Sequence, residues 1–160
     1  MYPNTRIDKI SLINFKNHLN TNLKDLGSFV VLNGNNGSGK TNILEAISLF
    51  SPGRGIKNTR FVEMPNKVRD QNNFEIKINV KYDAGEVELF RSFSSVEKNK
   101  NYISVDNEKI TNFQLLEFIN ILWITPIMEK VLIQSNSEKR NFFDRLIFNI
   151  NKSHLKNYAK

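Results

Sequence analysis

From residue 74 the chain alternates. Phe74, Ile76, Ile78 and Val80 are apolar and the residues between them are polar. Successive strand side chains point to opposite faces, so this pattern predicts a half-buried strand. Asp83-Ala84-Gly85 turns the chain, and Val87, Leu89, Phe90 and Phe93 form a return strand with one irregularity. Together they predict an antiparallel hairpin with one wet face. Ile7, Ile10, Leu12, Ile13 and Phe15 predict a first strand; Asn17–Asn22 reads as a turn and Leu23–Leu26 as a short second strand. Phe29-Val30-Val31-Leu32 is a continuous apolar run, the pattern of a buried strand. Ile43, Leu44, Ala46, Ile47 and Phe50 fall at helical spacing, and Pro52-Gly53 ends the helix.

Arg54–Asn73 is polar and reads as a loop. Tyr102–Val105 and Lys109-Ile110 predict a small hairpin across Asp106-Asn107. Phe113–Ile121 has helical character, and Ile121–Ile124 is an apolar run cut by Thr125-Pro126, with Trp123 read as core. Ser137-Glu138 opens a last helix with Phe142, Phe143, Leu146, Ile147 and Ile150 on one face.

Composition narrows the function classes. The 160 residues include no cysteine and two histidines, which excludes a disulfide scaffold and argues against a zinc site. No apolar run approaches the ~18 residues of a membrane span, and no secretion signal is visible, so a cytoplasmic protein with no membrane partner is expected. The net charge of +7 is uneven: residues 1–60 carry 8 basic against 3 acidic residues, 61–110 carry 8 against 9, and 111–160 carry 7 against 4. Basic ends attract phosphate backbones through counterion release, although abundant Asn and Lys also fit a compositional bias of the coding sequence.

The apolar run and the helix flank Gly34-Asn35-Asn36-Gly37-Ser38-Gly39-Lys40-Thr41, which fits the phosphate-loop pattern G-x-x-x-x-G-K-[ST] in its required context. Glycines let successive backbone N–H groups converge on phosphate oxygens, and the helix N-terminus adds a positive dipole end. Lys40 supplies a mobile charge to the β- and γ-phosphates, and the Thr41 hydroxyl suits Mg2+. ATP with Mg2+ is the expected ligand. The competing account, a glycine-rich turn with a solvated lysine, explains neither the Lys-Thr pair nor its position. Hydrolysis needs an acidic group near the metal, and no apolar strand here ends in Asp or Asp-Glu.

Ile10–Asn17 and Asn33–Ile47 together resemble the start of ABC/SMC-type ATPase heads. Ser48–Gly55, Trp123–Met128 and Arg140–Leu146 bring the chain closer to the RecF family, from about Ile7 to Tyr158. The resemblance implies an α/β P-loop lobe of ABC-ATPase-head type with flanking antiparallel strands and part of a helical arm. Residues 1–95 would be the ATP-binding lobe and 96–160 an incomplete arm, the chain being an N-terminal portion. It also implies DNA binding on single-stranded or gapped duplex, an ATP-bridged homodimer, recombination mediator partners, slow ATP hydrolysis, and work in recombinational repair, replication restart and SOS induction. The 160 residues alone are not expected to turn ATP over. Another ABC/SMC-type head, not devoted to gap repair, is the alternative.

Arg54, Lys57 and Arg60 follow the P-loop helix; the resemblance to SMC-like heads implies that they face DNA or a partner's nucleotide, and the alternative is solvated loop residues. Arg140, Asp144 and Arg145 match family positions without an assigned role, and Gln134 reads as a surface-turn residue rather than a metal ligand. His18 reads as a turn residue on the nucleotide side.

Overall fold

The computed structural model describes residues 5–68, 72–96 and 100–126, with Asn136, Lys139, Arg140, Phe143 and Ile147 beyond them. Six antiparallel strands form one sheet: β1 (Arg6–Phe15), β2 (His18–Leu23), β3 (Asn73–Tyr82), β4 (Gly85–Ser94), β5 (Lys100–Val105) and β6 (Glu108–Lys109). Their spatial order is β2-β1-β3-β4-β5-β6. A helix, α1 (Lys40–Ser48), and short 3-10 turns at Phe61–Glu63 and Gln114–Glu117 complete the described elements.

The alternating residues do what their period requires. In β3, Phe74, Ile76, Ile78 and Val80 point into the core, and in β4 Val87, Leu89 and Phe93 join them. The expected irregularity in β4 is absent: the β3–β4 register runs unbroken from Asn73↔Ser94 to Tyr82↔Gly85. The register shift lies instead in β1, between Ile7 and Lys9. Phe61 stacks on both Phe74 and Phe93, with ring centroids 6.2 and 6.0 Å away, and Phe15 meets Phe74 edge-on at 5.3 Å. On the opposite face Lys77 pairs with Glu88 and Lys9 with Glu86, so that face stays wet. The hairpin at Asp106-Asn107 forms as expected, both residues taking the left-handed backbone a tight turn requires.

Four further expectations change. The segment expected to turn at Asn17–Asn22 is largely strand β2. It has few β-forming side chains, but as an edge strand it takes its backbone partners from β1 (Ile10↔Leu23 through Phe15↔His18). Phe29–Leu32 is not a strand: Phe29 is 87% and Val31 72% exposed, while Leu32 packs against the core. A continuous apolar run is buried only when neighbours cover both its faces, and among the described residues no strand pairs with it. Residues 113–121 give only a 3-10 turn around Leu115 and Leu116, and the run at 121–124 is irregular, with Trp123 buried and Leu122 and Ile124 exposed. Phe143 is half exposed rather than core. Phe142, Asp144, Arg145, Leu146 and Gln134 lie outside the described residues.

Candidate phosphate-binding site

The P-loop octet runs from a segment without secondary structure into the first turn of α1. Gly39 caps the helix with φ +98°, and its carbonyl accepts from the amides of Asn42 (2.8 Å) and Ile43 (3.1 Å). Gly37 is also left-handed, and the Ser38 amide closes a turn onto the Asn35 carbonyl at 3.2 Å. These glycines let the loop curl around the helix N-terminus, where the backbone donors and the dipole favour an anion. Lys40 folds over the loop and donates to the Gly34 and Asn35 carbonyls, 2.7 Å each. Thr41 is exposed at the helix start. Asn36, Gly37, Gly39, Lys40, Thr41, Asn42 and Lys57 line an open cleft of about 290 Å3.

Lys57 therefore sits in the cleft. Its ammonium donates to Asn42 Oδ1 at 3.0 Å and lies 3.2 Å from Glu45 Oε2. Glu45 is on α1 and fully buried; Lys16 approaches its other oxygen at 3.5 Å, and the Thr59 hydroxyl donates to it at 3.1 Å. Such a carboxylate is tolerable inside a protein because two cations and a hydroxyl surround it. The loop after α1 is folded back by the same means. The Ser48 hydroxyl accepts from the Ile56 amide at 2.8 Å, and a Cβ on Gly55 would stand 2.6 Å from it. Of the other basic residues expected to matter, Arg60 pairs with Glu63 at the surface and Arg54 is exposed, both outside the cleft lining. Arg140 is likewise exposed.

Sequence reasoning placed His18 on the nucleotide side, and the structure puts it against the loop. Its Nε2 lies 3.2 Å from the Gly39 carbonyl and its Nδ1 2.8 Å from the Thr21 hydroxyl. A carbonyl only accepts, so Nε2 carries the proton in that contact. Asn17 donates to the Gly37 carbonyl at 3.1 Å and accepts from the Asn42 amide group at 2.8 Å. Roles for Lys16, Asn17 and Glu45 were missed. Their partners lie 12 to 29 residues away, and only a two-residue hairpin at 16–17 aimed at the loop would have signalled them.

A phosphate loop between an antiparallel sheet and a short helix defines a P-loop nucleotide-binding fold, and the family profile described as AAA domain matches residues 9–159. The chain belongs to that family. Within it, the chain is similar to the DNA replication and repair protein RecF of Rickettsia prowazekii, 34% identical over 94% of this chain and 41% of that protein. RecF of Rickettsia massiliae is likewise 34% identical over 98% of this chain and 43% of its own length. The chain thus spans about two-fifths of the curated relatives it matches, their N-terminal part. Among solved structures, the recombination mediator protein RecF with an ATP analogue superposes with a TM-score of 0.85 over 97% of this chain and 41% of that one, at 22% identity. An SMC ATPase structure, from work on ATP-driven dimerization and DNA-stimulated activation, gives 0.64 over 88% of this chain at 21% identity. The fold is that of an ABC-ATPase head, with the antiparallel sheet well developed and few helices. No helix among the described residues is long and apolar enough to cross a membrane.

Proposed function

We propose that this chain is the nucleotide-binding part of an ATP-dependent DNA replication and repair protein. The observation that carries the reading is the glycine-bent octet at the start of α1, with Lys40 folded over it and an open cleft in front. ATP fits this donor set. The amides of Gly37–Lys40 would bind the phosphates, and Lys40 would exchange its two carbonyl partners for phosphate oxygens. Mg2+ would be held by the Thr41 hydroxyl and would neutralise charge on the β- and γ-phosphates. Lys57 adds a second cation to the cleft lining, so its place supports a phosphate contact; exposed Arg54 and surface Arg60 are the better candidates for DNA. Similarity to RecF supports gap repair as the setting, and the ATP-driven dimerization and DNA-stimulated activation of the similar SMC ATPase support an ATP-driven dimer that binds DNA. Residues 1–95 would form the lobe and 96–160 lead into an arm.

The test is filter retention of gapped duplex DNA by the full-length protein, with and without ATP and Mg2+. Retention is expected to depend on ATP in the wild type and to vanish in Lys40→Ala. Equal retention by both proteins, in both conditions, would overturn the reading.

A further inference from the structure

Three consecutive residues of the β1–β2 hairpin each reach the phosphate loop or its helix. Lys16 approaches buried Glu45 on α1, Asn17 bridges the Gly37 carbonyl and the Asn42 side chain, and His18 meets the Gly39 carbonyl. Their fit is close. A Cβ on Gly39 would stand 2.5 Å from His18 Nε2 and 2.6 Å from Asn17 Oδ1, so the hairpin fills the space against the helix cap.

The hairpin itself is firmly held. Asn14 and Lys16 take left-handed backbone, with φ of 54° and 51°. The Lys16 amide donates to the Met64 carbonyl at 2.7 Å, the Asn66 amide donates to the Asn14 carbonyl at 2.8 Å, and Phe15 bridges to Pro65. Residues 64–66 thus strap the turn from outside, while β1 is held between β2 and β3 in the sheet. His18 is buried, and its ring is oriented from behind by Thr21.

We infer that Asn17 and His18 are positioning residues, which hold the Gly37–Lys40 backbone in its anion-binding curl before any ligand arrives. The inference rests on the nucleotide-binding reading above for its purpose, but not for its geometry. A glycine-rich loop is costly to order because glycine has more conformational freedom to lose than any other residue. Carbonyls engaged by outside donors cannot swing freely, so the peptide units that carry the amides are held as well. The ordering cost is then met during folding rather than at binding, which is how preorganisation raises affinity. Asn17 and His18 touch main-chain atoms of the loop, so their role is to shape it.

The experiment compares wild type, Lys40→Ala, Asn17→Ala, His18→Leu and His18→Gln as full-length proteins. Gln keeps an N–H donor near the place of Nε2; Leu removes it. The first readout is amide hydrogen exchange at Ser38–Lys40 without nucleotide. Exchange there is expected to rise about tenfold in Asn17→Ala and His18→Leu, the scale of one net hydrogen bond, and to return toward wild type in His18→Gln. Amides of β3 and β4 are expected to stay unchanged in all five proteins, which separates a local effect from general loosening. The second readout is titration with a fluorescent ATP analogue in Mg2+. A drop of about tenfold in affinity is expected for Asn17→Ala and His18→Leu, with recovery in His18→Gln.

Unaltered loop exchange in Asn17→Ala and His18→Leu would overturn the inference, as would nucleotide affinity equal to wild type in both while Lys40→Ala weakens it. Loosening spread equally over β3, β4 and the loop would also overturn it, leaving the two residues an ordinary part of the fold. If wild type and Lys40→Ala bind the analogue equally, the nucleotide reading fails; local exchange effects would still sustain the clamp, and their absence would remove both.

Discussion

Residues 27–32 and residues 73–94 are both rich in large apolar side chains, yet the two regions end in opposite surroundings. Phe74, Ile76, Ile78 and Val80 are at most 1% exposed, whereas Phe29 stands 87% in solvent. The difference lies in the spacing of the apolar positions. The β3–β4 hairpin alternates, so one face goes inside, the other carries Lys and Glu, and each strand supplies the other's backbone partners across a short turn. Phe29–Leu32 is apolar on both faces and has no adjacent hairpin mate among the described residues. One region satisfies itself locally; the other depends on whatever lies beside it. The phosphate loop follows directly on the dependent segment, and its order comes instead from the neighbouring β1–β2 hairpin.

This contrast can be pressed by substitution. The largest change is expected from Phe74→Ala, which opens a cavity among Phe15, Phe61 and Phe93 and costs about 3–5 kcal/mol of unfolding free energy in denaturant titration. Glu45→Ala comes next. It strands two lysines beside a buried site, and a loss of about 2–3 kcal/mol is expected, below the range for fully buried pairs because Lys57 is partly exposed. If Glu45→Ala unfolds at the wild-type denaturant midpoint, the loop after α1 is held without help from these ion pairs, by contacts such as Ile56 to Ser48.

A smaller effect belongs to Arg91, buried in β4 over the Phe61 ring and bonded to Asn112. Burial lowers its pKa from the usual arginine range to about 10. The folded state gives up this proton more readily than the unfolded chain, so above about pH 10 the unfolded state binds more protons and Arg91's contribution to stability rises with pH. Below that range the charged guanidinium carries its full desolvation cost. Arg91→Met is therefore expected to match or exceed wild-type stability at neutral pH, with the gap narrowing between about pH 9 and 11. A gap that widens with alkalinity would show that the buried charge is not penalised. Least of all is expected from Phe29→Ser, within about 0.5 kcal/mol in the same titration, because an exposed side chain contributes little to this fold. A loss as large as that of Phe74→Ala would erase the contrast between the two regions.

Legibility in the sequence followed the same division. The β3–β4 hairpin and the β5–β6 turn could be read from local pattern because local pattern is what forms them. The octet could be read because its chemistry is contained in eight consecutive residues. The strand expected at Phe29–Leu32 had the right pattern, but pattern does not reveal a neighbour. Strand β2 was hidden for the converse reason: His-Leu-Asn-Thr-Asn-Leu looks like a turn, and only pairing with β1 makes it a strand. Lys57 was singled out for its charge, but its place in the cleft depends on Asn42 and Glu45, which no spacing rule connects to it.

The contact between His18 and the Gly39 carbonyl has a practical consequence. An imidazole N–H that is shielded from water and bonded to a carbonyl exchanges slowly and resonates well downfield of ordinary amides. The chain has one other histidine, so assigning this signal by substitution is straightforward. The protein therefore carries its own unlabelled spectroscopic probe at the helix cap, one whose sharpening or broadening would follow the loop in real time as ligands come and go.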